Sequence, residues 1–250
     1  MSVVMVWVLV SVGLVAQVNT EQLRGGGKAE GLTQSIMTDL DIIQGNTDQR
    51  NLSLWYRADL KATDYSGFLE TRFQNKESSG KQVMNKGFGH LRVIYPWQPS
   101  LEWEGFVQKE YNDAALLVDR QLVGGGVRFP LTMRRAHGSQ TMVMVGVGGM
   151  MEWEQLGEDR YRQGGTFKST NYVTVEQELV WGIMYKSTSY LQLDISNVGD
   201  YRVLSSHKVT IPVRPGLKFE LAFDLQHDNK PPPGVIKRDW GLHKGISFQY

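Results

Sequence analysis

Asn51-Leu52-Ser53-Leu54-Trp55-Tyr56-Arg57-Ala58-Asp59-Leu60-Lys61-Ala62-Thr63 alternates from end to end. Leu52, Leu54, Tyr56, Ala58, Leu60 and Ala62 fall on one face of an extended chain, and Asn51, Ser53, Trp55, Arg57, Asp59, Lys61 and Thr63 on the other. Successive side chains of a strand point to opposite sides, so a hydropathy period of two marks a strand with one apolar and one polar face. Leu217, Phe219, Leu221, Phe223 and Leu225 repeat the pattern against Lys218, Glu220, Ala222, Asp224 and Gln226. Slipping either segment by one residue would exchange its faces, which fixes the register of both.

The same rule, with Gly, Asn, Asp and Pro as punctuation, predicts about twelve strands. They lie near residues 31–44, 50–63, 65–76, 83–95, 101–111, 116–130, 140–153, 170–185, 189–197, 201–213, 217–228 and 239–250. Many reach the roughly nine to eleven residues a tilted membrane-spanning strand needs, where globular strands usually have about five or six. The expected fold is therefore all-β: a closed antiparallel up-and-down transmembrane β-barrel of about twelve strands over residues 31–250. An even strand count places both termini on the periplasmic side. That assignment makes Lys186-Ser187-Thr188, Arg214-Pro215-Gly216 and Pro96-Trp97-Gln98-Pro99 short periplasmic connections, and the longer ones near 154–169 and 229–238 extracellular. Trp55, Trp97, Trp153, Trp181 and Trp240, near strand ends, suit interfacial girdles.

The two ends of the chain agree with an envelope destination. Val3 to Val15 is a short apolar run, broken only by Ser11 and Gly13. Its length suits a signal-peptide core and falls short of the roughly twenty residues of a spanning helix. Residues 1–16 are read as a signal peptide, and residues 17–30, with Gly25-Gly26-Gly27, as a flexible leader. At the other end Ile246, Phe248 and Tyr250 alternate with Gly245, Ser247 and Gln249 up to the last residue. This is a final strand that closes the barrel against the first, leaving no unpaired edge. A terminal aromatic with apolar residues two and four positions earlier also resembles the signal read by the outer-membrane assembly machinery. Outer-membrane lipid and that machinery are the expected partners. A net charge of +1 and the absence of cysteine argue against nucleic-acid binding and exclude thiolate chemistry and disulfides.

Three loop segments look alike to a known family when taken together. They are Gln44-Gly45-Asn46-Thr47-Asp48, then Lys109-Glu110-Tyr111-Asn112-Asp113 ahead of Asp119-Arg120 and Gly124-Gly125-Gly126, and Asp228-Asn229-Lys230-Pro231-Pro232-Pro233 ahead of Lys237-Arg238-Asp239. In order and spacing the chain resembles the domain-of-unknown-function 481 family, the salt-induced outer-membrane proteins, from about residue 31 to Tyr250. The resemblance implies an outer-membrane barrel without an established activity.

Chemistry is sparse. His90 and His243 fall on inward faces, His227 at a strand end, His137 in a turn, and His207 beside Ser206 on opposite sides of one strand. Ser206 and His207 therefore cannot form a simple nucleophile and base pair, and no arrangement resembles the serine and histidine motifs of outer-membrane phospholipases or lipid A deacylases. Gly124-Gly125-Gly126 has no following Lys-Ser or Lys-Thr and reads as close backbone packing rather than a phosphate loop. Glu102 and Glu104, like Glu176 and Glu178, are carboxylates two apart on one face, but opposite charges flank the first pair. Lys86 and Arg92 lie on the strand before Glu102, Glu104 and Glu110, and Arg120 and Arg128 on the strand after. Such an arrangement makes an inward ion-pair lattice, possible pore lining rather than a catalytic site. No cofactor, metal site or catalytic residue is expected, and the oligomeric state is left open. The leading function is a narrow passive pore or envelope-structural protein. The alternatives are a membrane-embedded enzyme acting on lipid or lipopolysaccharide, and a soluble periplasmic ligand-binding barrel.

Face assignment gives a direct test. Phe223→Arg places a charge on the lipid face and should destabilise insertion by about 2 to 4 kcal/mol if Phe223 lies at mid-membrane, with Asp224→Asn milder. A folding titration into vesicles measures both.

Overall fold

The computed structural model describes residues 6–9, 30–46, 48–134, 140–157, 160–161 and 165–248. Twelve long strands form one antiparallel up-and-down sheet: Gly31–Ile43 (β2), Gln49–Lys61 (β3), Ser66–Ser78 (β4), Lys81–Gln98 (β5), Leu101–Asn112 (β6), Leu117–Arg134 (β7), Gln140–Leu156 (β8), Thr166–Glu178 (β10), Met184–Asp194 (β11), Tyr201–Arg214 (β12), Leu217–Asp228 (β13) and Arg238–Phe248 (β14). Two short strands complete it. Val6–Leu9 (β1) pairs with β14, and Arg160–Tyr161 (β9) with β8. No helix among the described residues is long and apolar enough to cross a membrane.

Each long strand pairs with its neighbour in the chain, from β2 through to β14. The final strand was expected to close against the first. Among the described residues the outer side of β14, over Gly245–Phe248, instead pairs with Val6–Leu9. Apart from Val6–Leu9 and Glu30, the segments read as signal peptide and leader lie outside the described residues, as do His137 and Tyr250.

The strands have inverted polarity relative to a soluble protein. On β5 the inward His90, Arg92 and Ile94 are 1, 2 and 3% exposed, while the outward Leu91, Val93 and Tyr95 are 44, 47 and 51% exposed. Inward Arg57, Glu70, Glu110, Arg120, Arg128, Glu152, Lys168 and Arg202 are all buried, while outward Leu52, Val107, Val147, Leu191, Leu221 and Ile246 are exposed. A chain in water would lose the apolar burial that drives folding by such an arrangement, whereas a bilayer covers the apolar face.

Side chains bridging distant strands demonstrate the curl of the sheet. Arg202 on β12 bonds to Glu152 and Glu154 on β8, and Tyr172 on β10 to Glu104 on β6. Each pair is three strand steps apart, roughly 14 Å in a flat sheet, so the wall must bend sharply between them. Glycine makes the bend possible. Gly125 and Gly126 on β7 pair with Gly149 and Gly148 on β8, Gly124 pairs with Met150, and a Cβ on Gly125 would stand 2.8 Å from the Glu104 carbonyl oxygen. Gly146 lies directly across from Tyr172, whose ring occupies the space a side chain there would fill.

Two expected connections and one girdle residue differ. Lys186-Ser187-Thr188 is in the body of β11, and the turn is Leu179–Ile183, around a 3-10 turn over Val180–Gly182. The apolar run Leu179-Val180-Trp181 reads as strand, but Trp181 and Gly182 both have positive φ, 60° and 73°, and reverse the chain. Pro96, Trp97 and Gln98 belong to β5, which ends at the Pro99-Ser100 turn. Trp55 points inward and donates to Glu70 at 3.0 Å, so it is no girdle residue. Trp97 and Trp181 do lie at the end of the barrel that carries the C-terminus, and Trp153 and Trp240 face outward near the other. That other end also carries the longest connections, 157–165 and 229–237.

Gly146→Val should push the Tyr172 ring off the wall, break its bond to Glu104 and cost about 1 to 3 kcal/mol by overpacking. Urea titration of the folded barrel checks this against a Val145→Ala control on the outward face.

Candidate functional site: the charged lumen

The inward faces of β6, β7, β8, β10, β12 and β13 converge at the end opposite the C-terminus. The Arg120 guanidinium donates to Glu110 at 2.6 Å and to Glu154 at 2.8 Å. Arg202 donates to Glu152 at 2.6 Å, Glu154 at 3.0 Å and Asp228 at 2.8 Å. Lys168 Nζ lies 2.6 Å from Glu152. Three cations thus meet four carboxylates in a nearly solvent-free cluster, with Asp228 the most exposed side chain at 16%. Arginine suits this role, since its planar fork offers several donors in fixed directions and can serve carboxylates on different strands at once.

From this cluster the hydrogen bonds continue around the lumen. Glu110 accepts from Gln108, which contacts His90 Nδ1 at 3.1 Å. Arg92 lies 3.4 Å from His90 Nε2 and 3.2 Å from Glu104, which also accepts from Tyr172 at 3.1 Å. The His90 ring lies among Phe68, Phe88 and Phe106, with centroids 5.6 to 6.1 Å away. A separate group on β3 and β4 joins Arg57 to Asp59 and Glu70, and Arg72 to Glu70.

The residues expected to form the lattice can now be placed. Arg120 pairs with Glu110 and Arg128 with Glu102 as direct cross-strand partners, and Arg92 reaches Glu104 diagonally. Lys86 stands inward on β5 across from Asn112, apart from those three pairs. Glu176 lies 2.7 Å from Lys186, which the sequence reading had placed in a turn. Ile246 faces outward on β14, and the Phe248 backbone pairs with Leu217. The sequence reading missed Glu154, Lys168 and Asp228 as lumen residues, because its strands stopped at 153, began at 170 and gave 228 no inward role. The parity running from Met150 through Glu152 to Glu154 was the available sign.

Small clefts lie among these groups. One void, lined by His90, Phe106, Met150, Thr170, Tyr190 and Leu204 from six strands, has a water-accessible volume of about 20 Å³. Another, under the Pro231-Pro232 loop and beside Arg120, Glu154 and Asp228, has about 40 Å³. Such volumes admit about one to three water molecules each. Among the described residues no three His, Asp or Glu side chains are grouped to hold a metal ion.

Removing one partner from a buried ion cluster leaves the others uncompensated. Arg202→Met should therefore destabilise the barrel by about 3 to 5 kcal/mol. Glu176→Gln breaks a half-exposed pair and should cost under about 1 kcal/mol. Denaturant titration of both variants checks the ratio.

Comparison with known proteins yields solved barrels of low identity and one family. The NanC porin structure in rhombohedral crystal form has a TM-score of 0.49 at 6% identity, covering 82% of this chain and 97% of that one. The KdgM porin has a TM-score of 0.43 at 9% identity, covering 88% and 98%. A bacterial polysaccharide outer membrane secretin has a TM-score of 0.43 at 8% identity, covering 88% and 97%. No curated protein matches in sequence. The family described as "Protein of unknown function, DUF481" matches residues 40–249, and the chain belongs to that family.

Proposed function

We propose that the protein is an outer-membrane barrel that serves as a narrow passive pore of low conductance and as a structural element of the envelope. The observation that carries this reading is the pair of bridges across the lumen, Arg202 to Glu152 and Glu154, and Tyr172 to Glu104. Twelve strands lie between small barrels filled by side chains and sixteen-stranded porins with aqueous channels, so the filling of the lumen decides conductance. Here the inward charges of both signs hold one another in the cross-section, and among the described residues no ring of one sign remains to select ions.

The exterior supports the membrane setting over a soluble ligand-binding barrel. Its exposed Leu, Val, Ile and Phe side chains would aggregate in water, and the exposed Trp97, Trp103, Trp153, Trp181 and Trp240 lie toward its two ends. Even strand number supports periplasmic termini. On the outward face Ser205 lies 3.0 Å from His207 Nε2, but the other imidazole nitrogen meets the Tyr185 hydroxyl and no carboxylate, and the inward serine and histidine also favour a non-enzymatic barrel. Ser206 donates to Asp224, and His243 lies 3.5 Å from the other Asp224 oxygen. The carboxylate thus stands between hydroxyl and imidazole, and the histidine has no access to the serine proton.

Planar-bilayer recording of the purified protein should show small conductance steps and a reversal potential near zero across a salt gradient. Arg202→Ser/Glu154→Ser removes one positive and one negative bridging group together and should raise the conductance severalfold. A large, strongly selective conductance in the unaltered protein would overturn the proposal.

A further inference from the structure

The outward face is largely apolar, with polar residues such as Asn171 and Lys244 on single strands and a connected polar group on two adjacent strands. On β11 and β12 the outward residues include Tyr185, Ser187, Ser189, Ser205 and His207. Ser189 and Ser205 are direct cross-strand partners, as are Ser187 and His207. The Ser189 and Ser205 hydroxyls are 2.7 Å apart, Ser205 lies 3.0 Å from His207 Nε2, and the Tyr185 hydroxyl lies 2.9 Å from His207 Nδ1. Ser189 is the central residue of β11, and His207 lies at the middle of β12. The patch is thus at mid-height in the apolar belt. Val173, Val175, Leu191, Val203, Val209 and Phe223 surround it along the same and neighbouring strands.

Hydrogen bonding within the patch is incomplete. With neutral imidazole, Tyr185, Ser189, Ser205 and His207 carry one donor hydrogen each, and three bonds among them use three of the four. The Ser187 hydroxyl has no hydrogen-bond partner among the described residues. Acyl chains can accept neither hydrogen, and unsatisfied polar groups in hydrocarbon are costly. A protein embedded at the same depth can supply the acceptors that acyl chains lack.

We propose that this face docks a second copy of the chain through a two-fold contact centred on Ser189, Ser205 and His207. The proposal rests on the membrane setting argued above. A two-fold contact brings one patch against itself, so the patch must be self-complementary. Hydroxyl and imidazole groups meet that condition, since each both donates and accepts. A carboxylate or ammonium patch would repel its copy. The serines are small and let two walls approach closely, as small residues do between membrane helices. The result inverts a soluble interface: a polar centre within an apolar rim that continues into the lipid-facing belt.

The chain has no cysteine, so single-cysteine variants report without background. Ser189→Cys and Val147→Cys, the latter on the outward face of β8, are reconstituted in phospholipid vesicles and oxidised with copper-phenanthroline. Ser189→Cys should form cross-linked dimer severalfold more than Val147→Cys, and adding Ser205→Val and His207→Leu to Ser189→Cys should abolish the difference. In parallel, a bimane label on Val147→Cys is exposed to mid-chain-brominated lipid. Quenching there without selective cross-linking at 189 overturns the dimer and leaves the membrane setting standing. Equal cross-linking at both sites also overturns the dimer, as random collision. Absence of quenching overturns the membrane setting and the dimer with it.

Discussion

The structure depends on neutralising each inward charge inside a wall that excludes most of the solvent. Arg202 shows the constraint most clearly: on β12 it has carboxylates on two sides, Asp228 from the adjacent β13 and Glu152 with Glu154 from β8 across the lumen. Buried charges of this kind do not stabilise by being present, because desolvation offsets most of their attraction. Their effect is on geometry. Once buried they must stay paired, so the curl of the sheet between β8 and β12 is fixed at the distance at which guanidinium meets carboxylate. A wider barrel would separate them, and a flatter one would strand them.

The outside of the wall is governed by a different requirement. Lipid provides no hydrogen bonds, so backbone groups are satisfied within the ladders and side chains pointing out are apolar. Curvature links the two surfaces. Where β7 approaches β8, glycines on both strands remove the side chains that would hold the backbones apart, and aromatic rings fill the vacated space, Phe106 opposite Gly124 and Tyr172 opposite Gly146. The same ring that covers Gly146 places its hydroxyl on Glu104. Backbone curvature and lumen filling therefore meet in one side chain.

What could be read from sequence follows from how far apart the interacting groups are in the sheet. Twelve strands and their inward and outward faces were legible because alternation is a property of each strand alone. Pairing of Glu102 with Arg128 and Glu110 with Arg120 was legible too, since consecutive strands of an up-and-down sheet are neighbours. The Arg202 bridges were not, because they depend on the angle through which three strand steps turn. Lys168 and Glu154 were missed through strand ends set a few residues short. Trp181 misled for a local reason: an aromatic after Leu179 and Val180 looks like strand, and its left-handed backbone conformation shows only in the fold.

The polar chain on the outside and the ionic network on the inside obey one rule in opposite settings. Inside, Arg57, Arg120 and Arg202 each meet more than one carboxylate, all of them supplied by the chain itself. Outside, Ser189, Ser205, His207 and Tyr185 form the same kind of continuous chain, but no further strand presents a group to finish it. In water the remaining donor would be satisfied by solvent and the patch would be unremarkable. In a bilayer the same count leaves an open valence at a defined depth and direction. A wall that is largely apolar outside thus carries information about association where polarity joins the outward faces of two adjacent strands.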